Sequence, residues 1–302
     1  MNIKYLSINV NVFFIKLIII FLNILLVASR YDQRGCLFSP DGRLLQAEYA
    51  NQAAEKGNLI TCILSENDEF IVITPTRKKD QFLQGVNIDK IATLDDDTWM
   101  IFSGLAGDGR MVIEAARRYC INYKNEFGNG PSLAGISYAV GGMQHRATLS
   151  ADGRPFGINT AIFGFDKNGN SIPKIYVSKA TGHVTRWKAF ALGRNSKKAI
   201  ISMEEELHQT PTVKEAIVKL LKIMKKVATM KGGSGDEGNG ESGELEVDKF
   251  DVFIIKKNIN NKNYNNDNND GSSSMVISSE NEILYASGVS KLDDLPKEWK
   301  IQ

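Results

Sequence analysis

Paired amphipathic helices recur along this chain, separated by short β-branched runs. That order constrains the fold more than any single motif, because each apolar helix stripe must be buried, and sheets covered by helices on both outer faces satisfy the requirement. The clearest stripe lies between Thr212 and Met230, where Val213, Ala216, Ile217, Leu220, Leu221, Met224 and Val227 face away from a lysine-rich side. Asn195 to His208 reads as the helix before it. An earlier pair opens at Gly104–Gly109, with Met111, Ala115, Tyr119 and Tyr123 as its i, i+4 stripe and Arg117, Arg118 and Lys124 off that stripe. It resumes after Pro131 and Ser132 through Leu133, Ile136 and Val140. A lone helix is expected after the turn Ser39-Pro40-Asp41-Gly42, with Leu45, Tyr49 and Ala53 on one face and Gly57 as its stop. Strands are expected at Leu59 to Leu64, Phe70 to Thr74, Trp99 to Ser103, Ile158 to Phe165, Lys174 to Ser178, near Lys188 to Leu192, at Phe250 to Ile255 and at Glu282 to Ala286.

A chain of 302 residues with 42% hydrophobic content can bury one large core. Its 37 basic and 35 acidic residues leave a net charge of +2, which is no footprint for neutralising phosphates, so nucleic acid is a poor partner. Cys36, Cys62 and Cys120 have no short spacing and read as free thiols in a reducing compartment. Residues 1–30 form a separate leader. Phe13 to Ala28 is apolar apart from Lys16 and Asn23, short for a membrane span, and followed by Ala28, Ser29 and Arg30 in the manner of a signal peptide. An upstream extension, or a tail packed on a partner, would give the same composition. The rest, residues 31–302, is expected to be one domain interrupted by flexible insertions near 231–246, rich in Gly, Ser and acid, and 258–274, rich in Asn.

Several motifs carry no chemistry on inspection. Gly232-Gly233-Ser234-Gly235 lacks the strand and helix that flank a nucleophile elbow. Asp166 to Asn170 begins like a calcium loop but has its glycine at the fourth place, so it reads as a hairpin turn. Gly104 to Gly109 lacks the Walker ending and the dinucleotide spacing, which leaves close strand–helix packing as its role. His145, His183 and His208 have no partner at ligand spacing, and neither a metal nor a cofactor is expected.

The run from Tyr31 to Ala50, YDQRGCLFSPDGRLLQAEYA, closely resembles the signature of proteasome α-type subunits. The resemblance continues at Asp89-Lys90-Ile91, at Ser103 to Arg110, at Arg154-Pro155-Phe156-Gly157 and at Trp187 to Gly193, and it covers about Tyr31 to Met230. It implies an α+β, four-layer αββα sandwich of the N-terminal-nucleophile hydrolase type, with an N-terminal capping helix. It also implies a non-catalytic subunit of the 20S core particle that builds and gates the pore admitting unfolded, ubiquitinated protein. The partners implied are other α and β subunits and regulatory activator complexes, in the cytoplasm and nucleus.

The resemblance assigns roles to particular residues. Pro40 and Gly42 match the reverse turn at the ring's outer surface, and Tyr31, Asp32, Pro40 and Tyr49 match the cluster that holds the open gate. Such hydrolases need a Thr, Ser or Cys at a freed N-terminus, whose amine serves as base. Here the matching place is about Gly57, its neighbour is Asn58, the supporting aspartate is replaced by Pro75, and Lys90 alone is kept, so no catalytic residue is expected. Gln81 stands where the lysine of the activator pocket belongs, and a neutral amide cannot make the charge-assisted pair with a C-terminal carboxylate. Ala47 replaces a branched residue of the signature. Two alternatives remain: a threonine hydrolase freed at Thr61, and a divergent paralogue sent by residues 1–29 to a secretory or organellar compartment.

Overall fold

The computed structural model describes residues 15–22, 37–76, 91–150, 153–166, 172–207, 211–229, 249–257 and 282–296. Tyr31, Asp32, Cys36, Gln81, Lys90, His208 and the insertions at 231–246 and 258–274 lie outside the described residues. A helical segment α1 covers 15–22. The elements that follow are α2 (Leu45–Glu55), β1 (Ile60–Leu64), β2 (Phe70–Pro75), β3 (Ala92–Asp95), β4 (Thr98–Gly104), α3 (Ala106–Phe127) and α4 (Leu133–Leu149). After them come β5 (Ile158–Phe165), β6 (Pro173–Ser178), β7 (Val184–Trp187), β8 (Ala189–Leu192), α5 (Ser196–Glu206), α6 (Val213–Thr229), β9 (Phe250–Lys256) and β10 (Glu282–Val289).

The strands form two five-stranded sheets, ordered β10-β9-β2-β1-β8 and β3-β4-β5-β6-β7, with every pairing antiparallel. Strand periodicity divides the side chains. On β1, Ile60 and Cys62 point between the sheets, whereas Ile63 points outward to α5 and α6. The layer between the sheets is held by aromatic contacts: Phe70 lies 5.3 Å from both Phe163 and Phe165, and Trp99 lies 6.3 and 6.2 Å from the same two rings. Helices α5 and α6 cover the first sheet, and α3 and α4 cover the second, so the layers run αββα as the order of elements required. The expected apolar face of α6 is buried in full. The turn before β2 is the hairpin expected, with Asp68 taking a left-handed φ of 60°.

Two helix faces differ from expectation. On α3 the buried residues are Val112, Ile113, Ala116 and Cys120, and Met111 is 63% exposed. One residue rotates a helix face by about 100°, so a stripe begun at Met111 instead of Val112 lies at the margin of the buried face, where Ala115, Tyr119 and Tyr123 are half-buried. On α2 the buried face is Ala47, Ala50 and Ala54, not Leu45, Tyr49 and Ala53. This helix packs on β4 and β5, and only methyl groups fit that close approach; Tyr49 is left 44% exposed. Strands β3 and β7 are additional to those expected. β3 is only four residues long, and Arg117 of α3 donates from Nε to Thr93 O at 2.9 Å to tie it down. β7 is a half-exposed edge strand carrying Arg186, without the apolar alternation that would mark it.

The corrected face of α3 predicts unequal costs in denaturant unfolding of the purified chain. Ile113→Ala is expected to lose about 2–5 kcal/mol, and Met111→Ala to stay within about 0.5 kcal/mol of the parent.

Candidate functional site

The place that the resemblance gives to a freed nucleophile is where α2 runs into β1, and it is filled. A Cβ added to Gly57 would lie 2.2 Å from the Gly104 backbone nitrogen and 2.3 Å from Ser103 Oγ. Gly57 does not have a positive φ; it is glycine for space. Ser103 Oγ reaches Asn58 O at 3.0 Å and Ala54 O at 3.4 Å, stitching the end of α2 to β4. The Arg194 N–H donates to Gly57 O at 2.9 Å, and a Cβ on Gly193 would lie 2.1 Å from Asn58 O. Backbone from the end of β4 and from the residues just after β8 therefore closes on the residues that follow the helix.

The Ser103 hydroxyl at this point is buried and donates to the backbone carbonyls of Asn58 and Ala54, and its neighbours offer no nucleophile. Gly57 has no side chain, Asn58 offers an amide, and Pro75 in β2 offers no carboxylate. Thr61 has the right hydroxyl but is fully buried inside β1, paired to Ile73 and Ala191 on its two sides, and its Oγ1 donates to Ile73 O at 3.4 Å. Freeing its amine would mean removing α2 and the first turn of the sheet with it. Cys62 is no substitute, because complete burial pushes its thiol pKa far up and keeps it protonated. Among the described residues no three His, Cys, Asp or Glu side chains gather as a metal site.

Two segments singled out in the sequence meet beside this seal. Asp108, in the first turn of α3, accepts from Arg154 Nη1 at 2.6 Å and Nη2 at 2.8 Å, and from the Gly157 N–H at 2.9 Å. The Leu105 N–H returns a bond to Gly157 O at 3.1 Å. Gly104 sits here at φ 124°, where a Cβ would lie 2.1 Å from Gly157 O, and a Cβ on Gly109 would enter the Phe102 ring. The glycine-rich run is thus a packing device at Gly104 and Gly109, as its spacing implied. Asp108 and Arg154 were missed as a pair: each lies in a recognised segment, but their separation of 46 residues has no local signal.

The signature turn is well formed over its described part. Gly42 N–H donates to Ser39 O at 2.8 Å, Arg43 N–H to Ser39 Oγ at 3.0 Å, and Gly42 has the left-handed φ of 74° that relaxes the exit from Pro40. Arg43 then pairs with Glu48 through Nε and Nη2, one edge of its guanidinium, on the surface. Phe38, Pro40 and Tyr49 are exposed around it. Pro40 and Gly42 precede α2 and Tyr49 lies on its exposed side, so one helix links this turn to the sealed cleft at Gly57.

An αββα sandwich with a helix wedged into its own nucleophile position is a non-catalytic member of the N-terminal-nucleophile hydrolase class. Comparison with known proteins agrees. The family model described as proteasome subunit matches residues 56–239, and the model for the N-terminal signature of A-type proteasome subunits matches 31–53. The chain is 36% identical over 202 residues to proteasome subunit alpha type-7 of Dictyostelium discoideum, covering 66% of this chain and 79% of that one. It is 35% identical over 209 residues to proteasome subunit alpha type-8 of Mus musculus, covering 68% and 82%, and 34% identical over 207 residues to alpha type-7 of Caenorhabditis elegans, covering 68% and 80%. The chain belongs to the proteasome subunit family, as a non-catalytic α-ring subunit of the 20S core particle that assembles with other proteasome subunits.

The clamp at Asp108 makes a pH prediction. Hydrogen bonds from Arg154, then from Gly157, hold its carboxyl below the usual carboxylate range. A depressed folded-state pKa contributes stability above the unfolded value and loses it as pH falls through the folded one. Asp108→Asn is therefore expected to lower stability at neutral pH by about 1–2 kcal/mol, given that Arg154 is largely exposed, and to flatten the acid side of the melting-temperature profile below the ordinary carboxylate range of about pH 4. Equal acid slopes in the two proteins would contradict it.

Proposed function

We propose that this chain takes the ring position of the type-7 α subunits and works there as part of the gate that admits unfolded, ubiquitin-marked polypeptide to the core particle. The observation that carries this reading is the wedge of α2 at Gly57, which leaves the molecule surfaces to offer and no reaction centre. The type-7 and type-8 relatives support the ring position. Purification of the tagged chain followed by cross-linking mass spectrometry is expected to recover the other α and β subunits, with this chain linked to the neighbours of a type-7 position. Recovery without other proteasome subunits would overturn the reading.

The gate cluster in this reading is Tyr31, Asp32, Pro40, Gly42 and Tyr49. Its support is the rigid turn at Ser39–Arg43 and the exposed phenol of Tyr49, which can donate to a carboxylate such as Asp32. Regulatory activators are the partners of this face, and residues 31–302 act as one domain. Work of this kind belongs to the cytoplasm and nucleus.

Gln81 takes the position of the pocket lysine. Gln81→Lys is expected to raise activator affinity by roughly tenfold, the size of one charge-assisted hydrogen bond of about 1.5 kcal/mol. Titration of activator against particles carrying each version measures this, and unchanged affinity would remove Gln81 from the docking site.

A further inference from the structure

The leader contains an apolar helix that the rest of the described fold does not cover. In α1, Ile15 and all six residues from Leu17 to Leu22 are between 53% and 65% exposed, so the segment is covered by no other described part of the fold. Six consecutive apolar residues at about 100° per residue point in every direction around a helix. A groove on a partner protein covers one face and leaves the opposite face in water, which selects an amphipathic stripe with a polar back. This helix has no polar back. An environment apolar on all sides is needed to cover it, and the hydrocarbon of a lipid bilayer is such an environment.

The flanking sequence fits the same environment. The apolar stretch extends from Phe13 to Ala28, and its charges, Lys16 within it and Arg30 beyond it, are long cationic side chains able to reach the headgroups while their stems stay in hydrocarbon. No carboxylate occurs in the first 31 residues. At about 1.5 Å per residue, the described helix at 15–22 spans about 12 Å, shorter than the roughly 30 Å hydrocarbon core. Among the described residues no helix is long and apolar enough to cross a membrane. Insertion into one leaflet meets both conditions, because it requires burial and not passage.

We infer that α1, residues 15–22, lodges in the hydrocarbon of a lipid bilayer and so tethers this α-ring chain to a membrane surface. The tether rests on the leader alone, so it is independent of the ring position proposed above.

The test is flotation of the full chain with phosphatidylcholine vesicles, whose neutral surface removes simple attraction to Lys16 and Arg30. The full chain is expected to float with the vesicles equally in 0.1 and about 1 M salt, since apolar insertion is not screened. The double variant Ile18→Asp and Phe21→Asp is expected to partition at least about a hundredfold less, given the cost of a carboxylate in hydrocarbon. Vesicles are also expected to protect the leader of the parent chain from protease. Parent protein left at the bottom of the gradient, flotation lost in high salt, or equal flotation of the two proteins would overturn the tether. So would leader protection that depends on assembly into the core particle and not on lipid, which would assign the segment to a neighbouring subunit.

Discussion

The contact on which the structure turns is the approach of Gly57 to the backbone of Gly104 and the hydroxyl of Ser103. An eleven-residue helix is marginal by itself, and α2 has no side-chain N-cap, so packing must hold it in place. The packing is unusual in using only small groups. Ala47, Ala50 and Ala54 bring the helix onto β4 and β5, and Gly57, Gly104, Gly157 and Gly193 allow four stretches of backbone to converge where a side chain would keep them apart. Ala47, where the resemblance expects a branched residue, lies on this buried face. The same closeness that fixes α2 removes the space in which a nucleophile and its substrate would meet.

The Asp108 clamp extends this seal into the rest of the sandwich. It joins the start of α3 to the approach to β5, so the helix layer that covers the second sheet is set by the same few residues that close the cleft. Placing the carboxylate in the first turn of α3 also puts negative charge at the positive end of the helix dipole. Support of the cleft and support of the outer layer are therefore one network, which suits a subunit whose work is to present rigid surfaces to its neighbours.

Much of this was legible in the sequence, for reasons that differ between elements. The apolar face of α6 was readable because seven residues repeat on it against a row of lysines, leaving no second phase to choose. The phase of α3 was not, because Met111 and Val112 are both apolar and neighbouring residues; the choice between them is made by the paired sheet and by α4, which local sequence does not show. The face of α2 was misread because hydrophobic size was taken as the signal, whereas a helix pressed against backbone buries its smallest residues. β7 carries too few apolar residues to be seen before its sheet is known. At the site, the turn at Pro40 and Gly42 and the lack of a nucleophile at Gly57 were readable from residue type alone. The Asp108–Arg154 pair was not, since tertiary folding brings the two together.

The sealed cleft can be probed in the assembled particle with an acylating electrophile that reacts with N-terminal threonines, followed by intact-mass measurement of this chain. A chain that keeps the residues of α2 and carries no adduct, while other subunits of the same particle are labelled, is the result that a helix wedged at Gly57 requires. A chain that begins at Thr61 and bears the adduct would contradict it.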